Sequence, residues 1–307
     1  MSISSTAASG TSLALSVLSE AAQQTYPASA LYVLATPIGN VCDISVRALH
    51  VLSIVDTVAC EDTRNTSHLL SRYGISQPLL AAHEHNEREV AEKIIGRLQQ
   101  GERIALVSDA GTPAVSDPGA KIVAAVRAAG LRVVPLPGAS AAISALSASG
   151  LINDQFRFVG FLPSKAKQRE MALHELLHER ATLMFYEAPH RIVETVSALL
   201  QVFGPQRQVV LARELTKLFE TIHHCALAEA PDWLAQDANR QRGEFVILIA
   251  GDQAESNTEA DADAERILQI LLAELPVKQA ASLAAQITGQ KKNALYERAL
   301  QIKNSEN

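Results

Sequence analysis

The chain has 307 residues and a formal net charge of −6, and 48% of its residues are hydrophobic although only 4% are aromatic. This length predicts two domains with small additions rather than a single core. The negative charge argues against a protein that binds nucleic acid over its whole surface. No run of the sequence approaches the roughly 18 apolar residues of a membrane helix.

The cysteines and the N-terminal segment bear on where the protein resides. Cys42, Cys60 and Cys225 form no CxxC pair, which favours a reducing cytoplasm. The first 30 residues are rich in Ser, Thr and Ala, and the first basic residue of the chain is Arg47. A secretory signal needs a basic start and a transit peptide needs arginines, so neither fits. We therefore predict a mostly disordered tail over residues 1–30 of a cytoplasmic protein.

Residues 31–152 alternate between strand-like and helix-like runs, which indicates βαβ units and a largely parallel sheet. The predicted strands are Leu31–Ala35, Thr57–Cys60, Leu79–Ala82, Arg103–Val107 and Arg132–Val134. The predicted helices are Asp43–Val55, Thr63–Tyr73, Glu87–Gln100 and Asp117–Ala129. We interpret this stretch as an N-terminal α/β domain.

Residues 153–251 start a second, mixed α/β domain. Its predicted strands are Arg157–Gly160, Thr182–Tyr186, Gln208–Ala212, Glu220–His224 and Phe245–Ile249, and its predicted helices are Lys165–Arg180 and Pro189–Val202. An acidic linker is predicted over 252–263. Residues 264–307 are predicted to form a helix-turn-helix-like module, in which Gly289 separates Lys278–Ile287 from Lys291–Ile302.

Each predicted strand of the first domain is followed directly by a polar or Gly/Pro-rich cluster. These clusters are Thr36–Asn40, Glu61–Arg64, His83–Glu87, Ser108–Gly119 and Pro135–Ser140. Because the carboxyl ends of parallel strands meet at one edge of a sheet, we predict a ligand site there. Turn chemistry and helix capping are the alternative, and for Asp117 and Ser140 capping is an equal alternative.

The clusters also indicate what kind of ligand binds. The Walker and GxGxxG patterns are absent from the sequence, so nucleotide phosphates lack their usual site. Asp109, followed by the small residues Ala110 and Gly111, suits close backbone approach to a ligand with amine and hydroxyl groups. S-adenosylmethionine meets this description, since it has an amino acid head, a ribose and a sulfonium but no phosphate.

Eight segments resemble a known family. They are LYVLATPIGNVCDIS, ACEDTRNTSHLL, HEHNE, LVSDAGTPAVSDPG, PLPGASA, FVGFLP, FYEAPHRI and ARELTKLFETI. In this order, from about Leu31 to Gly251, they are similar to the RsmI branch of the tetrapyrrole methylase superfamily, as is the C-terminal helical segment. The sequence departs from the pattern at Cys42 and at Ala114–Val115, where larger aliphatic or polar residues are more usual.

The resemblance implies two α/β domains with S-adenosylmethionine in the cleft between them, and a homodimer. It implies 2′-O-methylation of a cytidine in the decoding centre of 16S rRNA, with the 30S subunit as the expected context. The implied cofactor contacts are Pro37, Ala110, Gly111, Thr112, Val115, Ser140, Ala141, Glu187 and Leu215. We add Asp109 from its position at a strand end, and Val115 could equally be a plain core residue.

A ribose hydroxyl is a weak acid, so a base or an orienting acceptor should assist the transfer. The candidates at the sheet edge and across the cleft are Glu61, Asp62, His83, Glu84, Glu187 and Glu214. Each could instead form a salt bridge, as Asp62 could with Arg64 and Glu214 with Arg213 or Lys217. Positioning without a dedicated base also remains open.

Basic residues near these clusters could hold RNA phosphates. The candidates are Arg64, Arg191, Arg213 and Lys217 beside the cleft, and Lys291, Lys292 and Arg298 in the C-terminal module. Residues 276–307 carry a net charge of +3, from five basic and two acidic residues. The alternatives are paired surface charges, and a module that only packs against a neighbour.

Three rival interpretations remain. His174–His178 matches the HExxH zinc-protease pattern, but its histidines flank an amphipathic stripe with no third ligand, so we expect no metal. A corrin or porphyrin precursor methylase on the same fold is the second rival, although the basic module and the EDTR and HEHNE clusters favour RNA. A non-catalytic RNA-binding protein is the third.

Overall fold

The computed structural model describes residues 16–252 and 259–305. The chain divides into two compact units, Met1–Gly251 and Asp252–Asn307. The two α/β domains expected from the sequence, 31–152 and 153–251, therefore belong to one compact unit, while the C-terminal module is separate.

The segment predicted as a disordered tail is partly ordered. Helix α1 covers residues 16–22, and Ala21 within it is buried. The hydroxyl of Tyr26 donates to the carbonyl of Ala21 at 2.8 Å, and Nε of Arg103 donates to the carbonyl of Tyr26 at 3.1 Å. Composition did not reveal this because one aromatic residue, Tyr26, fixes the segment to the sheet domain. Residues 1–15 lie outside the described residues.

The first sheet has five parallel strands, as predicted. The strands are β1 (Ala30–Leu34), β2 (Thr57–Cys60), β3 (Leu79–Ala81), β4 (Arg103–Val107) and β5 (Arg132–Leu136), in the order β3-β2-β4-β1-β5. The helices are α2 (Val46–Ile54), α3 (Thr63–Arg72), α4 (Glu87–Gln99), α5 (Ala120–Ala128) and α6 (Ala141–Ala148). β1, β2 and most of β4 are buried and mainly apolar, which is typical of a sheet covered on both faces.

Two helices of this domain differ from expectation. Helix α5 begins at Ala120 rather than Asp117, because Gly119 at the preceding position has a φ of 127°, which is not helical. Helix α6 was not predicted at all, and it proves to join the two domains. Its Ala142 and Ala145 pack into one cluster with Met184, Val246 and Leu248.

The second sheet is mixed. Its strands are β6 (Phe156–Phe161), β7 (Thr182–Glu187), β8 (Gln208–Arg213), β9 (Thr221–Ala226) and β10 (Phe245–Ile249), in the order β6-β7-β10-β8-β9. β6 and β7 are parallel, and the other pairs are antiparallel. The helices are α7 (Ala166–His174), α8 (Ile192–Phe203) and α9 (Ala230–Ala235), and residues of α7, α8 and α9 pack into the core of this domain.

The C-terminal unit consists of helices α10 (Glu259–Glu274), α11 (Val277–Thr288) and α12 (Lys292–Ser305). Gly289 closes α11 in the left-handed conformation with a φ of 73°, which agrees with its predicted role between two helices. The linker prediction is wrong from residue 259 onward, where α10 begins; Glu259, Ala260 and Ala262 are strong helix formers, and acidic composition alone does not separate a linker from a helix. Within 16–252 and 259–305, no helix is long and apolar enough to cross a membrane.

Candidate functional site

A cavity of about 320 Å³ lies where the carboxyl edge of the first sheet faces the second sheet. From the first sheet it is lined by Ile38, Ala110, Gly111, Thr112, Val115, Ser116, Asp117, Ser140 and Ala141. From the second sheet it is lined by Phe161, Tyr186, Glu187, Ala188, Pro189, Ala212, Leu215, Lys217, Glu244, Phe245 and Val246. The size suits a small ligand.

The loops after β1 and β4 are joined at the floor of the cavity. The amide of Thr36 donates to the carbonyl of Gly111 at 2.9 Å, and the amide of Gly111 returns the bond at 3.0 Å. Gly111 has a φ of +78°, a conformation that favours glycine. This pairing fixes the short, small-residue turn that the sequence suggested for close approach to a ligand.

The loop that continues to Gly119 is held in an unusual shape. Ala114 and Ser116 adopt positive φ values of 67° and 63°, which non-glycine residues rarely do. The buried Glu87 anchors the far end, since its Oε1 accepts from the amide of Gly119 at 2.8 Å and its Oε2 pairs with Nζ of Lys121 at 2.8 Å. Burial acts to raise the pKa of Glu87, but these two partners outweigh it and the pKa is lowered.

Glu187, at the end of β7, lines the cavity but is committed to structural bonds. Its Oε2 accepts from the hydroxyl of Thr195 at 2.7 Å, and its Oε1 accepts from the amide of Ala188 at 2.8 Å. Nε of Arg191 lies 3.2 Å from the same Oε1, so the two groups form an ion pair, although the N–H is not aligned for a hydrogen bond. The side chain is fully buried, so this geometry argues against Glu187 as the base.

Tyr186 lies beside Glu187 and faces the first sheet. Its hydroxyl accepts from the amide of Ala142 at the start of α6 at 3.3 Å, and its ring contacts Phe158 and Phe161 edge-on. Burial raises the pKa of Tyr186, so the hydroxyl stays protonated at neutral pH. Tyr186 therefore links the two domains across the cavity.

Lys217 is the basic side chain of the cavity lining, and it is doubly paired. Its Nζ lies 2.9 Å from Oε1 of Glu214 and 2.8 Å from Oε2 of Glu244. Burial acts to lower the pKa of Lys217, but the two carboxylates outweigh it and the pKa is raised. The predicted salt bridge between Glu214 and Lys217 is confirmed, which leaves neither group available as a free base or a free phosphate ligand.

The other base candidates lie outside the cavity lining. Asp62 pairs with Arg64 at 2.7 Å, and hydrogen bonds from Arg64 lower the pKa of Asp62 to about 2. Burial and the neighbouring carboxylates, Asp109 first among them, raise the pKa of Glu61. His83 and Glu84 are exposed on the loop after β3.

Most of the predicted cofactor residues come together. Those in the cavity lining are Ala110, Gly111, Thr112, Val115, Ser140, Ala141, Glu187 and Leu215. Pro37 and Asp109 do not line it, although Ile38 and Ala110 beside them do. Asp109 instead accepts from the amide of Asp62 at 3.2 Å and from Nδ2 of Asn65 at 2.7 Å. Val115 is 39% exposed, which excludes the plain core alternative.

Two of the predicted RNA-binding residues occupy structural positions. Arg213 is buried and its Nη1 donates to the carbonyl of Phe219 at 2.8 Å, and Arg191 donates from Nη2 to the carbonyl of Leu162 at 2.7 Å. These guanidinium groups satisfy backbone carbonyls of the second domain, so phosphate binding by them is not supported. Of the four basic residues predicted beside the cleft, Arg64 is the accessible one, since its side chain is 88% exposed.

The C-terminal unit has its own basic side chains. Lys291 and Lys292 are exposed at the start of α12. Arg298 instead pairs with Glu265 of α10, with both carboxylate oxygens 3.0 Å from Nη2. Arg298 therefore fastens two helices together, which differs from the phosphate contact predicted for it.

Several residues of the cavity lining were not predicted from the sequence. Asp117 belonged to a predicted ligand cluster, with helix capping as an equal alternative, but was not named as a site residue; α5 starts three residues later and Asp117 lines the cavity. Tyr186 ends a strand of the second domain, so the strand-end rule used for the first domain could have found it. Glu244 precedes β10 and Phe245 begins it. No local pattern marks either residue, because β10 runs antiparallel to β7 and β8 and so brings the start of a strand, and not its end, to the cavity.

The HExxH segment is not arranged as a zinc site. Helix α7 ends at His174, and residues 175–178 form turns, so the two histidines do not share a helix face as the sequence suggested. Across residues 16–252 and 259–305, no group of three His, Cys, Asp or Glu side chains could hold a metal ion.

The residues of the cavity fit S-adenosylmethionine. The lining contains the carboxylates Asp117, Glu187 and Glu244 and one basic side chain, Lys217, which carboxylates already hold. An anionic lining suits a cationic sulfonium and not a phosphate. The small side chains of Ala110, Thr112 and Ala141 and the absence of one at Gly111 leave room for an amino acid or ribose group to lie close to the backbone of these loops.

Comparison with known proteins agrees with this arrangement. The family profile of Tetrapyrrole (Corrin/Porphyrin) Methylases matches residues 30–231, and that of the RsmI C-terminal HTH domain matches residues 258–303. The solved structure of the methyltransferase CobJ matches with a TM-score of 0.55 and 18% identity, covering 72% of this chain and 93% of that chain. A uroporphyrin-III-C-methyltransferase from Thermus thermophilus matches with a TM-score of 0.51 and 19% identity, covering 72% and 94%.

Curated relatives are much more similar in sequence. A protein of Pseudomonas aeruginosa named Ribosomal RNA small subunit methyltransferase I is 56% identical over 275 residues, which is 89% of this chain and 98% of that protein. The protein of the same name from Escherichia coli O157:H7 is 52% identical over 271 residues, or 88% and 94%. This chain therefore belongs to the tetrapyrrole methylase family, in the branch that carries the RsmI C-terminal domain.

Proposed function

We propose that this protein transfers a methyl group from S-adenosylmethionine to the ribose 2′-hydroxyl of a cytidine in the decoding centre of 16S rRNA. The observation that carries the proposal is the 52–56% identity to proteins named Ribosomal RNA small subunit methyltransferase I, over 94–98% of their lengths. Such coverage includes both α/β domains and the C-terminal unit. The choice of ribose oxygen and cytidine rests on the motif resemblance.

The cavity supports the cofactor part of the proposal. When bound, S-adenosylmethionine supplies a methyl group that its sulfonium activates. The paired turns at Thr36 and Gly111 hold the floor, and Ser140 and Ala141 at the start of α6 form an adjacent wall. Leu215 and Phe245 provide apolar surface opposite them. These residues would bind the cofactor and exclude water from its reactive side.

The same residues support positioning as the main catalytic device. Methyl transfer requires the acceptor oxygen about 3 Å from the methyl carbon and in line with the breaking bond. Tyr186, held by Ala142 on one side and by Phe158 and Phe161 on the other, gives the cavity a rigid wall. Phe161 is 55% exposed and offers an apolar surface at the opening for the incoming nucleotide.

Exposed lysines support RNA as the substrate over a corrin or porphyrin precursor. Lys291 and Lys292 stand at the start of α12 in the unit that matches the RsmI C-terminal domain. Phosphate contacts by such residues add affinity without base specificity. We expect the protein to act as a cytoplasmic homodimer on the 30S subunit, and sedimentation of the purified protein tests the dimer.

The decisive experiment incubates the protein with radiolabelled S-adenosylmethionine and one of three acceptors. These are 30S subunits that lack the modification, protein-free 16S rRNA, and uroporphyrinogen. We expect label in the 30S sample, and nucleoside mass spectrometry should identify 2′-O-methylcytidine. A base-methylated nucleoside, or label in the tetrapyrrole alone, would contradict the proposal.

A further inference from the structure

Asp117 differs from the other two carboxylates that line the cavity. Glu187 is fully buried and bonded to Thr195 and the amide of Ala188, and Glu244 pairs with Lys217. Among the residues that the structure describes, no Lys or Arg side chain forms an ion pair with Asp117. A half-buried carboxylate at a cavity wall thus keeps acceptor capacity that the protein itself does not use.

The structural role that the sequence allowed for Asp117 is also absent. Helix α5 begins at Ala120 with Gly119 as its N-cap, and no side chain caps that helix. Ser108, which follows β4, is near enough to act against the raised pKa of the Asp117 carboxyl, although burial outweighs it. Asp117 therefore has a neighbour that orients it but no bond that commits it to holding the fold.

The loop that carries Asp117 is held in a conformation that costs backbone strain. Ala114 and Ser116 have left-handed φ values, and such residues persist only where the surroundings hold them. The anchor at Gly119 through Glu87 holds one end of the loop. On the other side, a Cβ on Gly160 of β6 would lie 2.9 Å from Oγ of Ser116, so the second domain packs closely there.

The surroundings of Asp117 favour a proton acceptor. Burial, with the charge of Asp109 from the β4 loop, raises its pKa above the usual value for an aspartate. The other titratable groups that face it are Glu61 after β2 and Tyr186 on β7. A raised pKa makes a carboxylate a stronger base, and the ideal catalytic pKa lies nearer neutral pH than that of a free aspartate.

We propose that Asp117 is the catalytic residue that accepts the proton of the hydroxyl that is methylated. This inference rests on the proposed function. The hydroxyl oxygen uses a lone pair to form the bond to the methyl carbon, the carbon–sulfur bond breaks, and its electron pair stays on sulfur. The O–H bond breaks and its proton passes to the Asp117 carboxylate. The products are a neutral ether, a neutral thioether and a protonated Asp117, which water then deprotonates.

The test compares Asp117→Asn with wild type in four measurements. General-base assistance contributes about 100-fold or more, so kcat on 30S subunits should fall by at least about 100-fold. The affinity for S-adenosylhomocysteine, measured by calorimetry, should stay within about threefold, because the cofactor contacts remain. The Tm should be unchanged or higher, because the variant loses a half-buried negative charge that has no ion-pair partner among the described residues. The pH dependence should change as well: wild-type kcat should fall at low pH as Asp117 takes up a proton, and the variant should lack this limb.

The rival is Glu61, which lies outside the cavity lining but also has a raised pKa. Glu61→Gln should lower kcat by less than about threefold, and the reverse order of the two variants overturns the proposal. If wild type fails to methylate 30S subunits, the proposed function fails. If wild type is active and folded Asp117→Asn keeps a third of kcat, only Asp117 fails. If Asp117→Asn does not fold, a wild-type kcat with no low-pH limb overturns the assignment.

Discussion

The two walls of the cavity differ in the size of their side chains and in whether their charges are paired. The wall from the parallel sheet consists of short loops with small side chains, such as Ala110, Gly111 and Ser140, and presents backbone groups. The wall from the mixed sheet presents larger side chains, such as Tyr186 and Phe245, together with charges that are already paired. The first wall can approach a ligand closely, while the second gives shape and rigidity.

This difference separates residues that hold the protein together from residues that act on ligands. On the mixed-sheet wall, Glu187 and Lys217 have their charges satisfied by protein partners, so their replacement should act first on stability. On the parallel-sheet wall, Gly111 has no side chain to hold the fold and Asp117 has no ion-pair partner among the described residues, so their replacement should act first on binding or turnover. The following predictions test this division, beginning with the largest expected effect.

Replacing Glu187 tests the structural wall. Glu187→Gln leaves Arg191 without its buried counter-charge, so the free energy of unfolding should fall by roughly 3 kcal/mol, as measured by denaturant titration. Glu244→Gln is the matched control on the same wall, with a mostly exposed side chain, and should change it by less than about 0.5 kcal/mol. If the Glu187→Gln variant is as stable as wild type but no longer binds the cofactor, Glu187 is a ligand contact and not a structural residue.

Replacing Gly111 tests the ligand-approach wall. Gly111→Val puts a branched side chain at a left-handed position in the cavity, so calorimetry should show at least about tenfold weaker S-adenosylmethionine binding, or 1.4 kcal/mol. Gly130→Val is the matched control, because Gly130 has a similar φ of 73° and a Cβ there meets nothing within 4 Å. The control should lose stability from the same strain but keep its affinity. Equal affinity in folded Gly111→Val would refute the assignment.

The salt dependence of RNA affinity should depend on the C-terminal unit more than on either wall. The double variant Lys291→Ala and Lys292→Ala should lower the slope of log affinity for 30S subunits against log salt concentration by about two units. Its cofactor affinity should match wild type. Arg298→Ala should change the slope much less, because that side chain pairs with Glu265. A slope that is the same in the double variant and wild type would show that the C-terminal lysines do not contact phosphates.

The smallest effect concerns the ion pair between Asp62 and Arg64, which lies outside the cavity lining. Asp62 has its pKa lowered to about 2 by Arg64, so the pair favours the folded state above the unfolded pKa of about 4 and loses this contribution as the pH falls toward 2. Arg64→Ala should raise the pKa of Asp62 toward 4 in an NMR titration and leave cofactor affinity at pH 7 unchanged. Weaker cofactor binding in this variant would extend the site beyond the cavity.

Much of the first domain followed from sequence alone. The alternation of strand-like and helix-like runs predicted five parallel strands to within one or two residues, and the strand-end rule located the turn at Gly111. This succeeded because a parallel sheet brings every carboxyl-end loop to one edge, so position in the chain already implies position in the site. Six of the residues that the family resemblance proposed as cofactor contacts, namely Ala110, Gly111, Thr112, Val115, Ser140 and Ala141, line the cavity for the same reason.

Tertiary structure decided which of these polar residues remain available to a ligand. Nothing local distinguishes Glu187, a proposed base, from Asp117, which lay in a predicted ligand cluster with helix capping as an equal alternative. Glu187 accepts a hydrogen bond from Thr195 of α8 and pairs with Arg191 at the N-terminus of that helix, whereas no described Lys or Arg pairs with Asp117. The direction of β10 likewise put Phe245 opposite Glu187, and no sequence pattern encodes that pairing. Hydrogen-bond satisfaction and strand direction depend on residues far apart in the chain, which periodicity and spacing do not register.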